Sequence, residues 1–292
     1  MITVVDSLGR TVRLDRPASR VVSLVPSETL SVVELAGLGR LVGRTDYCVE
    51  PPGAIEALPS VGGTKGVDVD AVIALRPDLV LANKEENSRA SVRALIEAGL
   101  AVHVSFPCTV DESNEYLRSL CELLGVAADA KAVSQCERAL ERALRSASGA
   151  PLPVFVPIWK EPWMTFDDRV FASDMLRACG AENVFSDRAR RYPLAADLGK
   201  RSAWNDDKVA DRDTRYPRIQ LTEVATRGAR AVLLPDEPYA FSERDSESFE
   251  DLGSNAIHVT LVDGKDLFWY GTRVAQALDN LSATIARLAS EL

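Results

Sequence analysis

Histidine is almost missing from this sequence: His103 and His258 are the only two. A metal centre built on three imidazoles is therefore excluded within one chain. Cysteine is sparse and odd in number. Cys48, Cys108, Cys121, Cys136 and Cys179 include no C-x-x-C pair, which fits neither a disulfide framework nor a zinc ribbon. They read as small buried apolar residues in a reducing compartment. No apolar run reaches the ~18 residues that a bilayer span needs, so no membrane insertion is expected. Residues 1–10 lack the basic, apolar and small-residue segments of a secretion leader. As it stands the chain reads as cytoplasmic, with the periplasm as the alternative if a leader has been removed. Basic residues are in deficit, 34 Lys and Arg against 43 Asp and Glu, a net charge of −9. Phosphate neutralisation needs the opposite balance, so a nucleic-acid partner is excluded.

Catalytic signatures are also lacking. There is no G-x-x-x-x-G-K-[ST] and no G-x-S-x-G. Gly37-Leu38-Gly39-Arg40-Leu41-Val42-Gly43 looks like a dinucleotide fingerprint. Its last glycine comes one residue late, and it follows a helical pattern where the fingerprint must open one. His103 and His258 lie among β-branched neighbours and read as sheet-face residues. The pairs Glu85-Glu86 and Asp236-Glu237 open loops, where carboxylates are usually solvated.

What is present is alternation. Strand patterns at 21–25, 41–44, 79–82 and 101–105 interleave with helical patterns at 29–38, 68–75, 88–98 and 111–124, the mark of a wound parallel α/β sheet. Ser27 is placed as the N-cap of the first helix. Residues 3–5 and 11–13 flank Asp6-Ser7-Leu8-Gly9-Arg10 as a small hairpin. Residues 127–147 contain no Gly or Pro and repeat apolar residues at helical spacing, predicting a helix ~30 Å long. Strands are then expected at 154–158, 231–234 and 257–261, with helices at 171–179, 219–226, 242–252 and 272–288. Residues 197–218, crowded with charge, read as a solvated loop.

The halves repeat faintly. The segment 67–81 aligns with 219–233 at an offset of 152, and 101–106 with 256–261 at an offset of 155. The expected fold is two Rossmann-like α/β lobes, 1–125 and 150–292, with wound parallel sheets, a cleft between them, and one long rigid helix, 126–149, joining them. Wound sheets bind ligands beyond the carboxyl ends of their strands. Those positions hold Pro26-Ser27-Glu28, Thr45-Asp46-Tyr47-Cys48, Asn83-Lys84-Glu85 and Pro107-Cys108 in the first half. In the second they hold Trp159-Lys160-Glu161-Pro162-Trp163, Pro235-Asp236-Glu237-Pro238-Tyr239 and residues 263–273. All four tryptophans, Trp159, Trp163, Trp204 and Trp269, fall in the second half, and aromatic rings suit flat, partly apolar ligands.

The opening Asp6-Ser7-Leu8-Gly9-Arg10-Thr11-Val12, then Arg20-Val21-Val22-Ser23-Leu24-Val25-Pro26-Ser27 and Leu58-Pro59-Ser60-Val61-Gly62-Gly63, carry a family resemblance. So do Ile73-Ala74-Leu75-Arg76-Pro77-Asp78-Leu79-Val80, Cys179-Gly180-Ala181-Glu182-Asn183-Val184-Phe185 and Gly271-Thr272-Arg273. In this order they resemble the cobalamin- and siderophore-type substrate-binding proteins of ABC importers, and within them the helical backbone metal receptors. The resemblance implies a monomeric binding protein without catalysis or intrinsic cofactor. It holds a corrinoid such as cobalamin, haem or a ferric siderophore between its lobes, and an ABC permease is its partner. It assigns ligand contact to Pro26, Ser27, Tyr47, Gly63, Asn83 and Lys84 from the first lobe. From the second it assigns Trp159, Trp163, Tyr239, Trp269 and Arg273. Tyr47 or Cys48 is a candidate axial ligand for a porphyrin. Cobalamin-binding relatives dock on their permease through one acidic residue per lobe. Asp70 matches the first; the second position holds Thr222, with Glu223 adjacent. An enzyme or a protein–protein adaptor on the same scaffold is the alternative reading.

Overall fold

A computed structural model describes residues 1–127, 130–147, 149–210, 212–250, 252 and 257–292. The chain divides into two compact units. Unit 1 comprises Met1–Arg138 and Trp269–Ala275; unit 2 comprises Ala139–Phe268 and Gln276–Leu292.

Unit 1 opens with the hairpin, β1 (Ile2–Val5) against β2 (Thr11–Leu14). Its turn is organised by Asp6, whose Oδ1 accepts from the Leu8 and Arg10 amides and whose Oδ2 accepts from Arg10 Nε at 3.0 Å. The four parallel strands are β3 (Val21–Ser23), β4 (Leu41–Arg44), β5 (Leu79–Asn83) and β6 (Val102–Ser105), in spatial order β4-β3-β5-β6. Every residue of β5 is buried, as expected of a central parallel strand covered on both faces. Between the strands run α1 (Pro26–Ala36), α2 (Val69–Ala74), α3 (Arg89–Glu97) and α4 (Val110–Leu124). Local sequence sets their ends. Asp68 accepts from the Ala71 amide, and Ser88 from that of Ser91. Thr109 and Glu112 form a reciprocal capping box, and Gly125 ends α4 at φ +66°. The cap expected at Ser27 is not there: Val25 holds the N-cap position, Pro26 starts the helix, and Ser27 is buried in its first turn.

The long helix is shorter than its periodicity predicts. It is α5, Lys131–Ser146; Ala127 and Ala130 lie outside it, and residues 128, 129 and 148 of that expectation lie outside the described residues. The division between the units falls inside α5, after Arg138.

Unit 2 repeats the plan. Strands β7 (Leu152–Phe155), β8 (Ala181–Asn183), β9 (Ala231–Pro235) and β10 (His258–Val262) are all parallel, in the order β8-β7-β9-β10. The helices are α6 (Phe171–Ala178), α7 (Leu194–Asp197), α8 (Asp206–Val209), α9 (Leu221–Thr226), α10 (Gly264–Phe268) and α11 (Val274–Glu291). The internal repeat is thus structural: α2 and β5, each moved by 152 residues, land on α9 and β9. The β6/β10 correspondence is looser. His103 pairs with Leu81, whereas His258 pairs with Ala231, the counterpart of Leu79. His103 is buried and its pKa is pushed down to about 4 by that burial; His258 is exposed at the start of its strand.

Two further expectations change. The helix expected over 242–252 is a 3-10 segment, Glu243–Phe249, capped by Ser242, with Asp251 outside the described residues. The loop expected over 197–218 is anchored: Asp197 is buried, and Arg218 bridges to Met164; Asp211 within it lies outside the described residues. No described helix is long and apolar enough to cross a membrane.

Candidate functional site

In each sheet the first strand has its second strand on one side and its third on the other, so the order reverses beside β3 and beside β7. The crevice beyond the carboxyl ends at such a reversal is where wound sheets take ligands. The strand-end residues of each unit therefore define its candidate face.

In unit 1, Tyr47 follows β4 and is 63% exposed. A Cβ placed on Gly63 would meet Tyr47 Cε2 at 3.4 Å, so the ring lies against the glycine. Cys48 is fully buried, its thiol pushed up by burial, which leaves Tyr47 as the exposed member of that pair. Lys84 is exposed after β5, with its ammonium 4.4 Å from the ring centroid of Phe106 after β6. Pro26 is half-buried at the start of α1.

Ser27 and Asn83 are each only 4% exposed. The Asn83 amide is fully used. Its Nδ2 donates to Ser105 Oγ at 3.2 Å and to the Tyr270 hydroxyl at 3.1 Å, and its Oδ1 accepts from the Glu85 and Glu86 amides. Asn83 therefore holds the turn that presents Lys84. Beneath it lies a closed polar pocket. The Tyr270 hydroxyl donates to Glu28 Oε1 at 2.9 Å and lies 2.7 Å from Ser105 Oγ. Glu28 is completely buried, and burial raises its pKa to about 8. Its acid was visible in the sequence beside Ser27; its burial was not, because only the docking of Tyr270 reveals it. Trp269 and Arg273, read from the sequence as second-lobe residues, group with unit 1, because residues 269–275 pack there. Trp269 is only 7% exposed and Arg273 half-buried.

Unit 2 presents a connected set of rings. After β7 the chain turns back through Trp159–Met164, closed by Ile158 N to Met164 O and Met164 N to Trp159 O. After β9 it carries Tyr239 and Phe241. Trp159 meets Tyr239 edge-on at 5.4 Å, Tyr239 meets Phe241 at 4.6 Å, and Phe241 stacks on Trp163 at 5.8 Å with the planes 6° apart. Trp159 is 46% exposed; Trp163 and Tyr239 are half-buried. The Lys160 ammonium binds Asp245 at 2.7 Å and lies 5.6 Å from the Trp163 ring. Phe241 and Asp245 were missed in the sequence, since neither sits directly at a strand end; the aromatic spacing Tyr239-x-Phe241 was the available signal.

In unit 2, Asp236 and His258 stand apart. Asp236 follows the carboxyl end of β9 and accepts from the Gly264 amide at 2.8 Å. His258 pairs with the first residue of that strand, roughly 17 Å from Asp236 at strand rise, and faces Glu291 at 3.8 Å. Among the described residues no group of three or more His, Cys, Asp or Glu is placed to hold a metal ion. Of the two carboxylates expected to meet a permease, Asp70 is exposed in the first turn of α2. Glu223 caps α9 by accepting from the Gln220 amide at 2.9 Å and lies 4.0 Å from Arg188.

These features, two wound sheets of one topology with polar and aromatic strand-end faces, are those of a binding protein. The chain belongs to the periplasmic binding protein family, whose sequence profile matches residues 21–210. It is 28% identical over 180 residues to a vitamin B12-binding protein of Vibrio cholerae, covering 61% of this chain and 64% of that protein. The match thus spans just under two thirds of that relative's length. The fold is similar to the periplasmic vitamin B12-binding protein BtuF of Vibrio cholerae, with a TM-score of 0.73, 21% identity, and 94% of this chain and 98% of that one covered. It is equally similar to the periplasmic heme-binding protein RhuT from Roseiflexus sp. RS-1 in apo form, with a TM-score of 0.74, 17% identity, and 93% and 99% covered. The family and the two-lobed α/β fold expected from the sequence both hold.

Proposed function

We propose that this chain is a substrate-binding protein for a corrinoid or a similar metal chelate, haem or a ferric siderophore, and acts without catalysis. The observation that carries the reading is the ring array Trp159–Tyr239–Phe241–Trp163 at the strand ends of unit 2, with Trp159 half in solvent. An exposed ring already held by its neighbours binds a flat macrocycle with little loss of side-chain freedom. In unit 1, Tyr47 on Gly63 and Lys84 over Phe106 place an aromatic ring and a cation at that unit's own strand-end face, a pairing suited to amides or carboxylates. The relative named vitamin B12-binding protein supports a corrinoid as the first of the three classes to test.

The partner in this reading is an ABC permease, with Asp70 as the docking carboxylate of unit 1 and Glu223 as the one in unit 2. Five free cysteines, four of them buried, favour a reducing compartment; recovery of the native protein in a periplasmic fraction would overturn that placement. Titration of the purified chain with cobalamin, hemin and a ferric siderophore, followed by visible absorbance and calorimetry, tests the function. Saturable one-site binding of at least one class is expected, and no response to any of the three would end the reading.

A further inference from the structure

Among its described residues, the segment 188–218 of unit 2 gathers arginines in excess of the carboxylates that face them. Asp197 is buried, and its oxygens are already engaged. Its Oδ1 accepts from the Arg191 amide at 2.9 Å, its Oδ2 from the Arg218 amide at 2.7 Å, and Arg188 pairs with it at 3.3 Å. Arg188 also takes Glu223, at 4.0 Å. Arg190 and Arg218 are left over. Neither makes an ion pair with a described residue. Arg190 Nε, and Arg218 Nε and Nη1, are buried atoms without a hydrogen-bond partner among the described residues. Arg190 lies with its guanidinium 4.7 Å from the ring of Tyr192, which covers one face of the fork and leaves its in-plane donors open. Tyr192 is itself fixed, by its hydroxyl donating to the Asp213 carbonyl at 2.8 Å and by stacking with Trp204 at 6.3 Å.

Buried N–H donors without acceptors are costly, and two cations near one another add repulsion. The effect is visible at Arg218, whose pKa is lowered by burial first and by Arg190 second, with Asp197 and Tyr192 opposing. A fold does not hold such a pair unless something relieves it. The missing component is a negatively charged oxygen, and planar guanidinium forks match phosphate and carboxylate geometry better than any other side chain does.

We propose that Arg190 and Arg218 form an oxyanion-binding site in unit 2 that takes a phosphate or carboxylate group. The inference is independent of the metal-chelate reading, because it is tested with small anions alone.

The test uses the full chain in Hepes at constant ionic strength, titrated separately with inorganic phosphate and with acetate against sodium chloride. Thermal melting and calorimetry are the readouts. One of the two anions should raise the melting temperature beyond matched chloride, and which one does so distinguishes the phosphate source from the carboxylate source. Arg218→Gln and Arg190→Gln should each weaken that anion at least tenfold. Arg218→Lys, which keeps charge and loses the fork, should fall between. Arg93→Gln, an exposed arginine of α3 in unit 1, should leave the response intact. Without anion, Arg218→Gln should melt at or above wild type, because it removes like-charge repulsion. The proposal is overturned if wild type answers neither anion beyond chloride, or if both glutamine variants keep the full response. It is equally overturned if Arg218→Gln melts below wild type without anion, which would give the pair a purely structural role.

Discussion

The Tyr270 hydroxyl donates to Glu28 Oε1 at 2.9 Å across 242 residues of sequence. This one bond ties the segment Trp269–Ala275 to the first helix of unit 1. The neighbours reinforce it. The Gly271 amide donates to Ser113 Oγ at 2.9 Å, the Thr272 amide to Ser31 Oγ at 3.2 Å, and the Cys136 thiol lies 3.7 Å from the Gly271 and Thr272 carbonyls. The acid at the centre is neutral at moderate pH, since desolvation outweighs the hydrogen bond from Tyr270, and Glu86 adds repulsion.

That neutrality makes stability fall as pH rises. The folded chain holds a proton on Glu28 up to about pH 8, whereas the unfolded chain loses it near the ordinary glutamate value of 4.5. Across that window the folded state binds the extra proton, so its advantage is complete below pH 4.5 and declines by about 1.4 kcal/mol per pH unit until pH 8. Glu28→Gln removes the titration and keeps the shape. Urea denaturation of both proteins at pH 5, 6, 7 and 8 should show the variant gaining on wild type as pH rises. A difference that does not change with pH would mean that Glu28 is ionised in the folded protein.

Gly271→Ala should be severely destabilising. Gly271 sits at φ +87°, where an L side chain is strained, and its Cβ would stand 2.2 Å from Ser31 Oγ. Ser31 cannot swing away freely, because the same oxygen donates to the Ser27 carbonyl and accepts from the Thr272 amide. Backbone strain and overpacking together should cost about 2–5 kcal/mol. Pairing the change with Ser31→Gly should recover the overpacking part and leave the strain. Full recovery, or no loss in the single variant, would contradict this geometry.

The units' architecture was legible because it rests on local signals. Alternating strand and helix patterns announced the elements, and the offset of 152 announced a second copy of α2 and β5, whereas the one cap read from the sequence, Ser27, proved to lie inside its helix. β8 went unread as a strand: three residues, Ala181–Asn183, carry too little pattern. Site exposure was less legible than site position. Tyr47 follows β4 and Asn83 ends β5, yet one is in solvent and the other consumes its amide internally. Contacts between distant segments decide that, as do the arginine excess over 188–218 and the burial of Glu28. Strand ends predict where a residue stands; only packing decides what it is free to touch.

Leu140→Pro tests whether α5 is continuous across the division between the units. Position 140 is an interior turn of Lys131–Ser146. Proline there deletes the bond from its amide and collides with the carbonyl four residues earlier, at a cost of ~3 kcal/mol or more. Leu140→Ala, which keeps the helix and loses only a half-buried side chain, is the control. The proline variant should unfold at clearly lower urea than the alanine variant. Equal midpoints would show that the helix contributes little there.

The two tryptophans of the unit 2 face should separate binding from stability. Trp159 touches Tyr239 at its edge and is 46% exposed, so Trp159→Ala removes the proposed ligand contact while leaving the core whole. Its unfolding midpoint should stay within about 1 kcal/mol of wild type, and cobalamin affinity should drop about tenfold. Trp163 is different. It stacks on Phe241 and meets Phe249 edge-on at 5.4 Å, against a cluster that includes Phe155, Phe185 and Val232. Trp163→Ala should therefore cost about 2–4 kcal/mol of stability as well as affinity. Trp163→Phe should restore most of the stability, because a smaller ring still fills the stack, and less of the binding. Absorbance titration and urea denaturation on the same three variants check both readings. If Trp159→Ala binds cobalamin, hemin and the ferric siderophore as wild type does, the ring array is a structural cluster and not the ligand face.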